Sequence, residues 1–325
     1  MVRDIGYAQF GAHYFGRCKM SITTPSLRIL MGFDGSNHAH AALTLLRDLC
    51  ANQPQPPISS LTLLAVFTPL MAGDQGPLRD ALANAHDSLK DLCFQVTSDI
   101  VLGYPAEKII EYSEQQHPDL IVVGAQGLRA ALGILLGGVA QQIVEYACCP
   151  VLIVRAPYTG LRRVLLATDG SQPSLQATQY LARFPLSPAT IIHILHVLPP
   201  LPLPPSAEFY ARTYPLAPEV LPVYPRQLSA EELAWQKEEE QQGQTILQQA
   251  SQIFKDIGRE VETSLLRGDA AKEIISYAKE KQIDLIVSGS RGLNPFKGWL
   301  LGSVSRKLVH YSGCSVLIVK SRQEK

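Results

Sequence analysis

Two stretches of this 325-residue chain carry residue types that could hold a phosphate. The fuller one reads Gly289-Ser-Arg-Gly292, then nine residues, then Gly302-Ser303-Val304-Ser305, directly after the apolar run Leu285–Val287. Glycines let backbone N–H groups approach an anion with no Cβ in the way. A helix opening at Ser303 and running to Tyr311 would aim unpaired amides and the positive end of its dipole at the same place. Ser303 and Ser305 add hydroxyl donors, and Arg291 adds a cation between the motif glycines. Asp169, in Asp169-Gly-Ser171, follows the apolar run Val164–Ala167. It should stand at the carboxyl edge of a sheet, where doubly wound folds bind their ligands.

Other chemistries find little support. The six cysteines (Cys18, Cys50, Cys93, Cys148, Cys149 and Cys314) form no CxxC, so no zinc site is expected. Cys148 and Cys149 read as buried free thiols at the end of a helix, and a reducing compartment follows. His38-x-His40 lies in a helical pattern, where such side chains point apart. His193 and His196 sit three apart on a strand and face opposite sides. No Gly-x-Ser-x-Gly elbow, His-Glu-x-x-His or Gly-x4-Gly-Lys-[ST] loop occurs. Glu238–Glu240 reads as a solvated helix face.

The elements that must position these residues occur twice. Arg28-Ile-Leu-Met-Gly-Phe-Asp34-Gly-Ser36 returns as Arg163-Val-Leu-Leu-Ala-Thr-Asp169-Gly-Ser171, an offset of 135. Residues 102–128 return at 267–293, an offset of 165, with 12 of 27 positions identical. Cys149-x-Val-Leu-Ile-Val154 returns as Cys314-x-Val-Leu-Ile-Val319. The chain is a tandem duplication. The offsets differ by 30, so the second copy carries an insertion. Residues 199–228 hold nine of the 23 prolines and are its expected site, a long surface arm of extended chain.

Within each copy, strand-length apolar runs alternate with helical periodicity. Leu27–Phe33, Leu61–Phe67, Leu120–Val123 and Val151–Val154 are matched by Val164–Ala167, Ile191–Leu198, Leu285–Val287 and Val316–Val319. Unbroken apolar strands imply burial on both faces, as in a parallel sheet. The alternation predicts an α/β fold with an open doubly wound sheet in each half. Ser229-Ala-Glu-Glu232 fits a capping box, and the helix it starts is expected to end near Ile257, before Gly258. The polar first half of that helix, with Trp235, is expected to project beyond the core.

With these residues in view, the chain resembles a tandem universal stress protein, whose family pattern is G-x2-G-x9-G-[ST]. The resemblance covers residues 25–156 and 160–320, leaving 1–24 as a loose extension that a start at Met20 would omit. It implies two Rossmann-like, adenine nucleotide alpha hydrolase-like domains, each a five-stranded parallel sheet flanked by helices, and a site for ATP with Mg2+. By the same resemblance Asp169 lies on the adenosine side and the Val197 backbone meets the adenine. Gly289, Gly292, Gly302, Ser303 and Ser305 grip the phosphates. The first copy supplies Asp34, Val66, Gly124, Gly127 and Gly137, but there Gly138-Val-Ala140 replaces Ser303-Val-Ser305. Hydrogen bonds to a charged phosphate contribute about 1.5–3 kcal/mol each, so the first site should be the weaker. The family also pairs its last strands between domains. That makes 151–154 and 316–319 the expected seam of an intramolecular pseudo-dimer, with a homodimer through the projecting helix as a further contact.

Charge adds one distinction. Lys+Arg and Asp+Glu are 29 each, so the net charge is zero, which argues against a nucleic-acid coat or a polybasic membrane binder. Residues 20–157 carry 7 basic and 12 acidic groups, and residues 158–325 carry 19 and 16. The basic half is thus the half with the complete phosphate motif. There is no signal-peptide pattern and no apolar run near the roughly 20 residues of a membrane helix. The expected protein is a cytoplasmic, ATP-binding stress-response regulator with an unidentified protein partner and no dedicated catalytic residue. A nucleotide-independent interaction module and a slow ATPase are the alternatives.

Overall fold

The computed structural model describes residues 26–51, 56–68, 75–92, 94–127, 136–201, 229–291 and 301–320. The first half runs β1 (Leu27–Gly32), α1 (Asn37–Ala51), β2 (Ile58–Phe67), α2 (Gly76–Asp87), β3 (Gln95–Leu102), α3 (Pro105–Gln116), β4 (Leu120–Gly124), α4 (Gly138–Tyr146) and β5 (Val151–Val154). The second runs β6 (Arg163–Ala167), α5 (Gln172–Arg183), β7 (Ile191–Leu198), α6 (Ala230–Lys255), β8 (Val261–Arg267), α7 (Ala270–Glu280), β9 (Leu285–Gly289), α8 (Ser303–Tyr311) and β10 (Ser315–Val319). The doubly wound α/β expectation holds in both halves. The N-terminal extension and nearly all of the Pro-rich arm lie outside the described residues.

Ten strands form one sheet in the order β3-β2-β1-β4-β5-β10-β9-β6-β7-β8. Within each half all neighbours are parallel. The strand order reverses between β1 and β4, and again between β6 and β9, which opens a crevice at the carboxyl ends of those strands. At the centre β5 and β10 pair antiparallel, with Leu152 opposite Leu317. Side chains there alternate between two layers, both buried. Leu152, Val154, Leu317 and Val319 join one apolar cluster spanning both halves. Val151, Ile153, Val316 and Ile318 join another, with Leu301 and Val309 from the second half among first-half residues.

Two strands escaped the sequence pattern. β3 and β8 are outer strands, and much of each is exposed or only half-buried. Polar residues at such positions break the apolar runs that mark the inner strands. Other expectations also need correcting. Cys148 is exposed, while Cys149 is buried. Glu239 is no solvated carboxylate: Arg267 donates to it at 2.7 Å, and Arg267 also donates to the Pro199 carbonyl. The pair fastens α6 to the end of β8. The capping box at Ser229 and Glu232 is present, and α6 ends at Lys255. Gly243 lets α6 approach the sheet closely, since a Cβ there would stand 2.8 Å from Leu265 and 3.1 Å from His196.

The seam carries a reciprocal clasp. Arg155 follows β5 and Lys320 follows β10, at equivalent places in the repeat. Arg155 crosses to the second half, where Nη2 donates to the Val309 carbonyl at 2.9 Å and Nε to the Cys314 carbonyl at 3.1 Å. Lys320 crosses the other way and donates to the carbonyls of Glu145 and Ala147 at 3.1 and 2.7 Å. Each cation thus answers unpaired carbonyls at the C-terminus of the other half's helix, α8 or α4, and complements its negative dipole end. Replacing Arg155 by Met leaves two buried carbonyls without that donor and should cost roughly 3 kcal/mol in urea unfolding.

Lys320 makes the clasp pH-dependent. Burial pulls its ammonium down from 10.5 to about 8, with Arg291 adding to the fall and Cys148, Cys149 and Glu145 opposing it. Between those values the unfolded chain binds more protons, so this group adds stability as pH rises through the window. Below it the lysine is charged in both states and the full burial cost stands. Relative to Lys320→Met, wild type should gain about 2 kcal/mol between about pH 7.5 and 9.5. A difference that stays flat would show that Lys320 is not buried as a cation.

Candidate functional site

In the second half the crevice at the β6–β9 reversal is a cavity of about 270 Å³. Of the sequence-derived residues, Asp169, Val197, Gly289, Arg291, Gly302, Ser303 and Ser305 all line it. Gly292 lies outside the described residues. Thr168, Ser174 and Ser288 also line it. They were missed because nothing in a lone serine or threonine distinguishes a cavity wall from a core hydrogen bond.

The Asp-Gly-Ser segment builds a turn that starts a helix. Asp169 Oδ1 accepts the Ser171 N–H at 3.0 Å. Gly170 takes φ +77, a region other residues rarely adopt. Ser171 then caps α5 by accepting the Ser174 N–H. The turn fixes Asp169 at the tip of β6, facing the crevice. In the first half Asp34, Gly35 (φ +76) and Ser36 repeat the arrangement, and the Ser36 N–H donates to Asp34 Oδ1 at 3.0 Å.

The motif glycines serve packing first. A Cβ on Gly289 would stand 2.7 Å from the backbone of Pro173, where α5 begins. On Gly124 it would stand 2.8 Å from the His38 Cβ and 3.1 Å from the Ala39 nitrogen at the start of α1. Each therefore lets the helix after the first strand close onto the fourth strand. The Gly302 N–H donates to the Ser290 carbonyl at 2.8 Å, and that of Gly137 to Ala125 at 2.7 Å. These bonds hold the loop mouth shut at the helix entry.

The donors left for an anion lie at the start of α8. Its cap residue, Gly302, provides no side-chain hydrogen bond, and no acidic residue stands in its first turn. The amides of Ser303, Val304 and Ser305 are the first three of the helix and lack intrahelical acceptors. The Ser303 hydroxyl and the Arg291 guanidinium make no hydrogen bond among the described residues. Ser305 differs from expectation: its hydroxyl is buried and donates to the Gly289 carbonyl at 2.7 Å. It ties α8 to β9 instead of offering a proton to the cavity. Thr168 likewise donates to Ser174 Oγ, and Ser174 to the Ser171 carbonyl.

The equivalent first-half cavity measures about 420 Å³. Asp34, Val66, Gly124, Gly127, Gly137 and Gly138 all line it. Its chemistry is different. Thr168, Ser174 and Ser288 correspond to Phe33, Ala39 and Val123, and Arg291, Ser303 and Ser305 to Gln126, Gly138 and Ala140. Six polar side chains of the second site are thus answered by five apolar residues or glycines and one amide. α4 too starts without a side-chain cap.

The histidines are structural. Ala156 N–H donates to His38 Nδ1 at 2.9 Å, His196 Nδ1 meets the Thr168 carbonyl at 2.8 Å, and His193 Nδ1 faces the Tyr277 hydroxyl at 3.2 Å. Burial lowers His193 and His38 from the ordinary histidine value. Among the described residues no group of three His, Cys, Asp or Glu could hold a metal. No helix among them is long and apolar enough to cross a membrane.

The family model for the universal stress protein family matches residues 26–155 and again 160–320. The universal stress protein YxiE of Bacillus subtilis is 34% identical over 158 residues, covering 49% of this chain and 98% of its own. A universal stress protein of Mycolicibacterium smegmatis is 26% identical over 323 residues, covering 90% of this chain and 97% of its own. Among solved structures, a universal stress protein from Archaeoglobus fulgidus aligns with a TM-score of 0.62 at 19% identity, over 93% of this chain and 99% of that one. With two matches to one family model, a relative aligned nearly end to end and the same α/β fold in both halves, the chain belongs to the universal stress protein family as a tandem of two such domains.

Proposed function

We propose that the second domain binds ATP at the β6–β9 crevice and that the protein is a cytoplasmic, nucleotide-dependent regulator in a stress response. The observation that carries this is the uncapped start of α8, with the Ser303 hydroxyl and Arg291 beside it, opposite Asp169. Three amides, a hydroxyl and a guanidinium form the donor set for a polyphosphate. Asp169 accepts hydroxyl protons from the sugar side. Leu195, Val197 and Ile274 supply the apolar wall for the base. Mg2+ enters with the phosphates, since this ion is commonly held by one or two carboxylates together with phosphate oxygens. Asp169 is the one carboxylate lining the cavity among the described residues.

No residue in the cavity is placed as a base or nucleophile, so hydrolysis is expected to fall below about 1 s⁻¹, the low end of ordinary catalysis. A nucleotide spanning β6 and α8 bridges the second strand layer and the loop after β9. Occupancy would therefore be read on that loop and on the exposed stretch of α6, where Leu233 and Trp235 stand exposed for a protein partner.

Two substitutions separate ligand binding from packing. Ser303→Ala with Arg291→Gln should weaken ATP binding by about 100-fold, one to two hydrogen bonds to a charged phosphate, and leave the melting temperature unchanged. Gly289→Ala should instead cost about 1–3 kcal/mol of stability, because its Cβ meets backbone. ATP affinity that survives the double substitution, measured by calorimetry with millimolar magnesium, would favour the nucleotide-independent interaction module. Turnover well above about 1 s⁻¹ would favour the enzyme.

A further inference from the structure

The first-half cavity has the same place in the fold as the second but lacks its phosphate chemistry. It is also the larger, about 420 Å³ against about 270 Å³. Its walls are apolar: Leu64, Val66, Ile109 and Val123 lie along the base of the crevice. Asp34 is the one charged side chain lining it among the described residues, and it is an anion. A triphosphate placed here would meet a carboxylate and no side-chain cation. Gly138 and Ala140 offer no hydroxyl, and Gln126 stands where the second half has Arg291.

What remains is balanced for an uncharged ligand. The Asp34 carboxylate accepts hydrogen bonds, so it selects hydroxyl or amino donors. The uncapped amides at the start of α4 donate, so they select neutral oxygen or nitrogen acceptors. The apolar walls take a flat ring. A Cβ built on Gly138 meets nothing within 4 Å, so glycine here is not demanded by packing and leaves the mouth wide. We propose that the first cavity binds an uncharged, hydroxylated, ring-bearing small molecule of the nucleoside class and discriminates against its phosphorylated forms. The choice of adenosine as probe rests on the nucleotide reading of the second cavity; the exclusion of phosphate does not.

The test is a pair of calorimetric titrations on the full chain, with adenosine and with ATP plus magnesium. Two adenosine molecules and one ATP molecule per chain are expected, with adenosine favoured over ATP by at least about tenfold at the first cavity. Val66→Trp fills that cavity and should remove one adenosine and no ATP. The triple variant Gln126→Arg, Gly138→Ser, Ala140→Ser restores the missing donors and should raise ATP binding to two per chain. This arm stands even where Val66→Trp fails to fold. Two ATP molecules on the wild type, a single adenosine indifferent to Val66→Trp, or a triple variant that gains no ATP would each overturn the proposal. Adenosine lost in Val66→Trp with no ATP bound anywhere would uphold it and remove the ATP reading of the second domain instead.

Discussion

The antiparallel pairing of β5 with β10 is the contact on which the rest of the molecule depends. Each half ends on a short, wholly apolar strand whose open edge would otherwise invite pairing with another chain. Joining the two edges makes one ten-stranded sheet and buries both faces of the seam in clusters shared by the halves. It also sets Arg155 and Lys320 at the places where each reaches the other half's helix. The C-termini of α4 and α8 are then held from across the seam, while their N-termini form one wall of each cavity. Neither cavity is complete as a rigid object without the opposite half.

The two cavities separate scaffold from chemistry. Gly289 and Gly124 are kept in both halves because backbone comes within 3 Å of where a Cβ would stand. The turn at Asp34 and that at Asp169 are kept because each starts a helix. Those demands are steric and would persist whether or not a ligand binds. The polar lining is under no such demand, and it changes from Thr, Ser, Arg and Ser to Phe, Val, Gln and Gly. The glycine pattern therefore reports the fold, and the side chains at the helix start and beside the loop report the ligand.

Much of this was legible in the residues. Apolar runs exposed the eight inner strands, because burial on both faces leaves no room for polar side chains. The repeat exposed the duplication. Asp169, Val197, Arg291 and Ser303 were found by type and spacing, and the structure brings them to one crevice. What failed did so for stated reasons. β3 and β8 carry the mixed pattern of outer strands. Glu239 looks like any helix-surface acid until Arg267 is seen beside it. Ser305 looks like a donor until its proton is found on the Gly289 carbonyl.

By itself, then, the sequence determined the elements, their duplication and the candidate ligand chemistry. These depend on local periodicity, sterics and residue type, all of which are written within a few turns of chain. Only the tertiary structure decided which glycines pack and which donors remain for a ligand. It alone set the size of the two cavities and carried Arg155 and Lys320 across the seam. Those depend on distances of a few tenths of an ångström between residues some 150 positions apart. Hydrogen bonding is settled at that scale, and no spacing along the chain encodes it.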